Sequence, residues 1–209
     1  MGGAPRRRRR LARVVAAWIA QLARGVLALA LGVTIALTLA HTPLFGLVTF
    51  GVFAVLSSIV LLGATLRGDY AGPRRFTFLV QAIATLVAGI LALAVPNGGV
   101  AYLGILVGAW ALLTGLLEGA SGILARGRAP LTRDWLLTGV VTALLGVVAL
   151  VLPPDFVQAF AGERGQAGTL TSSVILVGVI GGWAIIVGVL QTISAVSVRA
   201  MRGAAVATS

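Results

Sequence analysis

The chain has 209 residues, 59% of them hydrophobic and only 10% charged, with 16 basic residues against 5 acidic ones and a formal net charge of +11. A mean hydropathy of +1.07 means more apolar surface than a soluble domain can bury, so most of the chain is solvated by lipid. The absence of Cys excludes disulfides, thiolate chemistry and Cys-ligated metals, and the absence of a polar basic face with interleaved aromatics excludes nucleic acid as a partner.

Residues 1–24 form a basic arm that holds Arg6, Arg7, Arg8, Arg9, Arg10, Arg13 and Arg24. Leu11, Val15, Trp18 and Leu22 share one helical face, so the arm is expected to lie on anionic lipid headgroups as an interfacial helix and topology anchor. A signal-peptide reading is disfavoured because no convincing A-x-A cleavage site follows and five further spans would remain after the cut. About 20 apolar residues cross ~30 Å of hydrocarbon. Gly25 to Leu66 carries no Asp, Glu or Arg and is divided by His41-Thr42-Pro43, which predicts two crossings. Phe76 to Ala125, divided by Pro96-Asn97-Gly98-Gly99, predicts two more. Trp135 to Leu152 is a fifth, stopped by Pro153-Pro154, where no N–H is left to continue a helix. The sixth runs from Leu170 to Val198, after a polar outer loop at 153–169, and 199–209 is a tail.

Backbone groups in lipid must be satisfied internally, so the expected fold is all-α: a polytopic membrane protein with six transmembrane helices. Fifteen of the 16 Arg residues fall on one side of this arrangement and only Arg164 on the other. The positive-inside rule then places both termini in the cytoplasm. The exclusive use of Arg over Lys suggests GC-rich coding and a bacterial cell (inner) membrane.

The chain also repeats itself. A shift of 57 places Gly32 on Gly89, Phe53 on Trp110, Thr85 on Thr142, Gly89 on Gly146 and Pro96 on Pro153, and a shift of 73 places Gly108, Trp110, Gly115 and Ser121 on Gly181, Trp183, Gly188 and Ser194. Three hairpins result, 25–66, 76–125 and 135–198, and because each crosses twice they keep one orientation and predict a pseudo-threefold axis along the membrane normal. Inverted-repeat transporters are built differently. Small residues mark the packing ridges: Ala28, Gly32, Ala36 and Ala40; Gly104, Gly108, Ala111, Gly115 and Gly122; Gly178, Gly181 and Gly188; with Gly89 and Gly146 on the third and fifth spans.

The motifs Arg24-Gly25, GILALAVP (89–96), GAWALLTGLLE (108–118), GVVALVLP (146–153) and GGWAIIVG (181–188) resemble those of the HdeD-like acid-resistance membrane proteins, a short-repeat family of six-span bacterial inner-membrane proteins. The resemblance covers about residues 22–200 and implies a membrane-resident factor for acid or other stress, with no established chemistry. His41-Thr42-Pro43 stands where the family often has Trp-Pro, Ser57-Ser58 stands where an acid and Gly are common, and the long third outer loop is unusual.

Glu118 is the one acid within a span and therefore a functional candidate, with Gln81, Thr85 and Gln191 as the other polar groups of a path through the bundle. The plainer reading pairs Glu118 with Arg24 or Arg126 for packing and register. His41, at an outer turn, is the one side chain that ordinarily titrates between pH 5 and 8 and so a candidate pH sensor, or simply a solvated turn residue. One His without Cys makes no metal site, the serines near the spans (57, 58, 121, 194) have no His at their depth for a triad, and no phosphate loop is present. The expectation is a non-enzymatic protein without cofactor. Its rivals are a small-solute or proton transporter with a path past Glu118, and a scaffold that docks a second copy or another membrane protein through its small-residue ridges.

Overall fold

The computed structural model describes the backbone of residues 4–67, 73–124, 132–161 and 167–207, and the side chains of 18–67, 75–124, 133–159 and 168–197. Six helices follow in order: α1 (Ala4–Leu37), α2 (Pro43–Leu66), α3 (Pro73–Ala94), α4 (Gly99–Leu124), α5 (Thr132–Val151) and α6 (Ser172–Ala207). Each contains a stretch long and apolar enough to cross a membrane: Trp18–Leu37, Pro43–Leu66, Arg75–Ala94, Gly99–Leu124, Arg133–Val151 and Ser172–Ser197. The chain is a multi-pass membrane protein.

The helix ends are set by local chemistry. Thr42 caps α2, its hydroxyl accepting from the Phe45 N–H at 3.2 Å with Pro43 in the first turn, an arrangement that satisfies one orphan donor and uses a residue that needs none. The α3–α4 turn closes through Gly99 at φ +79, backbone that costs a side-chain-bearing residue energy. α1 runs unbroken from Ala4, so the basic arm and the first crossing share one helix; the side chains of Arg6, Arg7, Arg8, Arg9, Arg10 and Arg13 lie outside the described residues.

The outer loop differs from the polar link expected between Pro153 and Thr169. Strand β1 (Val157–Ala161) pairs antiparallel with β2 (Ala167–Thr171), Val157 opposite Thr171 and Ala161 opposite Ala167. Pairing satisfies the loop's backbone groups within the chain. Ser172 ties the base, its hydroxyl donating to the Pro153 carbonyl at 2.7 Å and its N–H to that of Phe156 at 3.0 Å.

The tightest packing lies between hairpins: α4 on α5, α1 on α6 and α2 on α3. With the looser α1–α2, α3–α4 and α5–α6 contacts these close a ring, inside which α2, α4 and α6 also touch one another. Glycines make the approach possible. A Cβ on Gly32 would stand 2.9 Å from the Ile185 nitrogen, on Gly89 2.9 Å from that of Val55, and on Gly146 2.7 Å from that of Leu112. The self-alignment equates these three glycines, and it equates Val55, Leu112 and Ile185 as well. Gly115 faces Ala143 and Gly139, Gly188 faces Leu29 and Gly25, Gly104 faces the Ala149 carbonyl, and Gly108 and Gly181 receive Leu150 and Ile35. Gly178, placed on a ridge by spacing, faces open space; the packed face of α6 runs through Gly181 and Gly188 instead.

The core along the inner ring is apolar toward the turn end. Leu47, Phe50, Leu103, Val107, Val177 and Ile180 are fully enclosed, and Ala54, Ala111 and Ala184, again equated by the self-alignment, let the three inner helices close together. Outward-facing leucines, isoleucines and valines on every span are what a lipid-solvated surface requires.

Candidate functional site

Polar side chains collect at one level of this apolar bundle. Arg24 on α1, Gln81 on α3, Glu118 on α4 and Gln191 on α6 line one small space within it. Thr138 on α5 lines the same space. All five are buried, Glu118 to 2% and Arg24 to 9% residual exposure.

Glu118 is the centre. Its Oε2 accepts a hydrogen bond from Gln81 Nε2 at 3.2 Å, and its Oε1 lies 3.8 Å from Arg24 Nη1. A carboxylate this deep is tolerable only with an opposite charge and a donor beside it. Arg24 was counted from the sequence among the headgroup anchors; the structure corrects this. Its guanidinium is buried and faces the Glu118 carboxylate on α4. Arg126, the other cation considered for Glu118, lies outside the described residues. Gln191 joins the cluster from α6, while the His41 ring sits at the opposite end of α1, partly exposed, with Nδ1 3.3 Å from the Leu39 carbonyl oxygen.

The void among these groups is small, ≈ 20 Å³ of space for a water-sized body. Among its lining residues, Arg24, Gln81 and Thr138 are equated by the sequence shift of 57, and so are Ala28, Thr85 and Thr142. Phe53, Trp110 and Trp183 cap it toward the turn end, with Phe50 packed behind them. Trp110 and Trp183 meet edge to face at 5.4 Å, Phe53 meets Trp183 at 5.8 Å and Phe50 meets Trp110 at 4.9 Å. The Trp110 indole N–H donates to Thr85 Oγ1 at 3.0 Å and that of Trp183 to Thr142 Oγ1 at 3.1 Å. At the corresponding place in the first hairpin, Phe53 has no N–H and Ala28 no hydroxyl. Donor and acceptor are absent together, which avoids a buried unpaired group.

The same rule holds one layer toward the termini. Ser121 Oγ and Thr77 Oγ1 are 2.7 Å apart, Ser194 Oγ donates to Asp134 Oδ2 at 2.7 Å, and the equated pair in the first hairpin is Ala20 with Ala64, both buried. Thr138 and the Trp–Thr pairs were not picked out from sequence. The 57-residue register that aligns Thr138 with Gln81 and Arg24 is the signal that could have found them.

Among the described residues no group of three or more His, Cys, Asp or Glu could hold a metal ion. Chemically the cluster is an ion pair with amide and hydroxyl neighbours in a space the size of a water molecule.

A family model described as a short repeat of unknown function (DUF308) matches residues 80–151, which take in most of α3, all of α4 and α5 through Val151. The match agrees with the short-repeat resemblance of the motifs. No curated protein and no solved structure matches the chain.

Proposed function

We propose that this chain is a non-enzymatic bacterial inner-membrane protein that serves acid or other stress resistance or membrane homeostasis by being a sealed bundle. The observation that carries the reading is the apolar plug. Above the Arg24–Glu118 cluster, Phe53, Trp110 and Trp183 and then Phe50, Val107 and Ile180 close the axis, all of them buried. A proton or solute path needs polar groups or water at every level, and these layers offer none beyond indole N–H groups already bonded to threonines. The stress role itself rests on the resemblance of the hairpin motifs.

The three hairpins are read as copies about a pseudo-threefold axis along the membrane normal. In support, Gly32, Gly89 and Gly146 meet Ile185, Val55 and Leu112 by the same contact. Both termini are assigned to the cytoplasm by the distribution of Arg, and the N-terminal arm to anionic headgroups. A partner docked through the small-residue ridges is less well supported, because Gly32, Gly108, Gly115, Gly146, Gly181 and Gly188 already receive the chain's own helices.

Two measurements test the reading. Purified chain in proteoliposomes under an inward pH gradient, followed with an entrapped pH-sensitive dye, should show no flux above protein-free vesicles, and removal of the gene should lower survival in acid until the intact chain is restored. The buried Arg24–Glu118 pair is what favours a proton transporter as second reading. Acid-driven flux abolished by Glu118→Gln would establish that reading and overturn ours.

A further inference from the structure

The polar cluster has more hydrogen-bonding capacity than the protein satisfies. Arg24 Nε and Nη1, Gln81 Oε1, Glu118 Oε1, Thr138 Oγ1 and Gln191 Oε1 are all buried without a hydrogen-bond partner among the described residues, and all five residues line the same void. Buried polar atoms in native proteins are nearly always partnered, by protein or by ordered water. A single orphan is tolerable; six around one space point to something that bonds them.

Size and charge decide what that is. A water molecule needs about 10–15 Å³ of such space and two to four polar partners; the void offers ≈ 20 Å³ and more partners than that. An organic solute does not fit. A metal cation would face the Arg24 guanidinium, and an anion would face the Glu118 carboxylate and two amide oxygens. A neutral molecule that both donates and accepts suits the mixture: it accepts from Arg24 and donates to Glu118 Oε1 and to a glutamine or threonine oxygen. The 3.8 Å between Arg24 Nη1 and Glu118 Oε1 is longer than a direct charge-assisted bond, and a bridging water would supply the missing contact.

We infer that the bundle holds one or two water molecules in its membrane-embedded core, on Arg24, Gln81, Glu118, Thr138 and Gln191, in a chamber that ends at the Phe53–Trp110–Trp183 layer. The site goes beyond the stress reading and does not need it: it depends on these five side chains, whatever the cell uses the protein for.

Solid-state NMR on the uniformly ¹⁵N-labelled full chain in lipid bilayers tests it through water-to-side-chain polarisation transfer. The Nε2 groups of Gln81 and Gln191 should gain water polarisation within about two-fold of exposed Gln158, while the indole N–H groups of Trp110 and Trp183 gain less than a tenth as much. Gln81 and Gln191 as silent as the two indoles would overturn the inference. In Thr138→Leu, whose added bulk fills the void, the transfer to Gln81 should disappear with the backbone spectrum retained; persistence of that transfer would equally refute the site. If that variant does not fold, the wild-type comparison of glutamines with indoles decides alone.

Discussion

Two glycines one turn apart on α4 separate the packing argument from any argument based on spacing. A Cβ on Gly115 would stand 2.6 Å from the Ala143 nitrogen, 2.8 Å from the Gly139 oxygen and 3.0 Å from the Ala143 Cα. All three are backbone, so no side-chain rotation relieves the clash and α4 and α5 must part by about 0.9 Å to reach the ~3.5 Å of ordinary contact. A gap of that size forfeits roughly a quarter to a half of the dispersion attraction, and overpacking of this kind costs about 1–3 kcal/mol. Ala is the better helix former by about 1 kcal/mol, so Gly115→Ala should lose a net of up to about 2 kcal/mol, up to roughly 30-fold in the folding equilibrium. A Cβ on Gly119 would meet nothing within 4 Å, and Gly119→Ala should be neutral or gain up to about 1 kcal/mol. The assay is reversible unfolding in mixed micelles against SDS mole fraction, read by tryptophan fluorescence. Equal shifts for the two variants, or a larger loss at Gly119, would refute the α4–α5 geometry.

Other expected outcomes follow from single contacts. Arg24→Leu removes the cation facing Glu118 and should cost about 3–5 kcal/mol in the same unfolding assay, with most of it recovered in Arg24→Leu/Glu118→Leu, because the penalty is that of a charge left without its partner. Trp110→Phe orphans the Thr85 hydroxyl and should cost about 1–2 kcal/mol beyond the change in ring packing; adding Thr85→Ala, which recreates the Phe53–Ala28 combination of the first hairpin, should return about 1 kcal/mol in a double-mutant cycle. Thr42→Ala deletes the cap on α2 and should lower stability by about 1 kcal/mol. His41→Gln, at an exposed turn bonded to the Leu39 carbonyl, should leave acid survival of the complemented strain unchanged; a loss there would make the turn a sensor.

Much of the site was legible before the fold. Glu118 stood out because an ionised group among apolar residues is costly, and the face it shares with Gly104, Gly108 and Gly115 pointed it at protein, as its 2% exposure agrees. Arg24 stood on both sides of the sequence reading, as one more headgroup charge beside a run of arginines and as one of two partners for Glu118, and only the packing of α1 near α4 chose between them. The glycine ridges were visible by period, but period alone could not separate Gly181, which receives Ile35, from Gly178, which receives nothing. Nor could it show that the tightest contacts run between hairpins rather than within them.

What the amino-acid order determined was what depends on the medium: six apolar helices long enough to span, and a register of 57 residues in the sequence. Lipid enforces these locally, since each apolar stretch must be helical and long enough whatever its neighbours do. Which helix meets which, the burial of Arg24 on Glu118, and the matched gain or loss of donor and acceptor at Trp110–Thr85, Trp183–Thr142 and Phe53–Ala28 were decided only in three dimensions. Those contacts join residues far apart in the chain, and their energies exist only once close packing has set the distances.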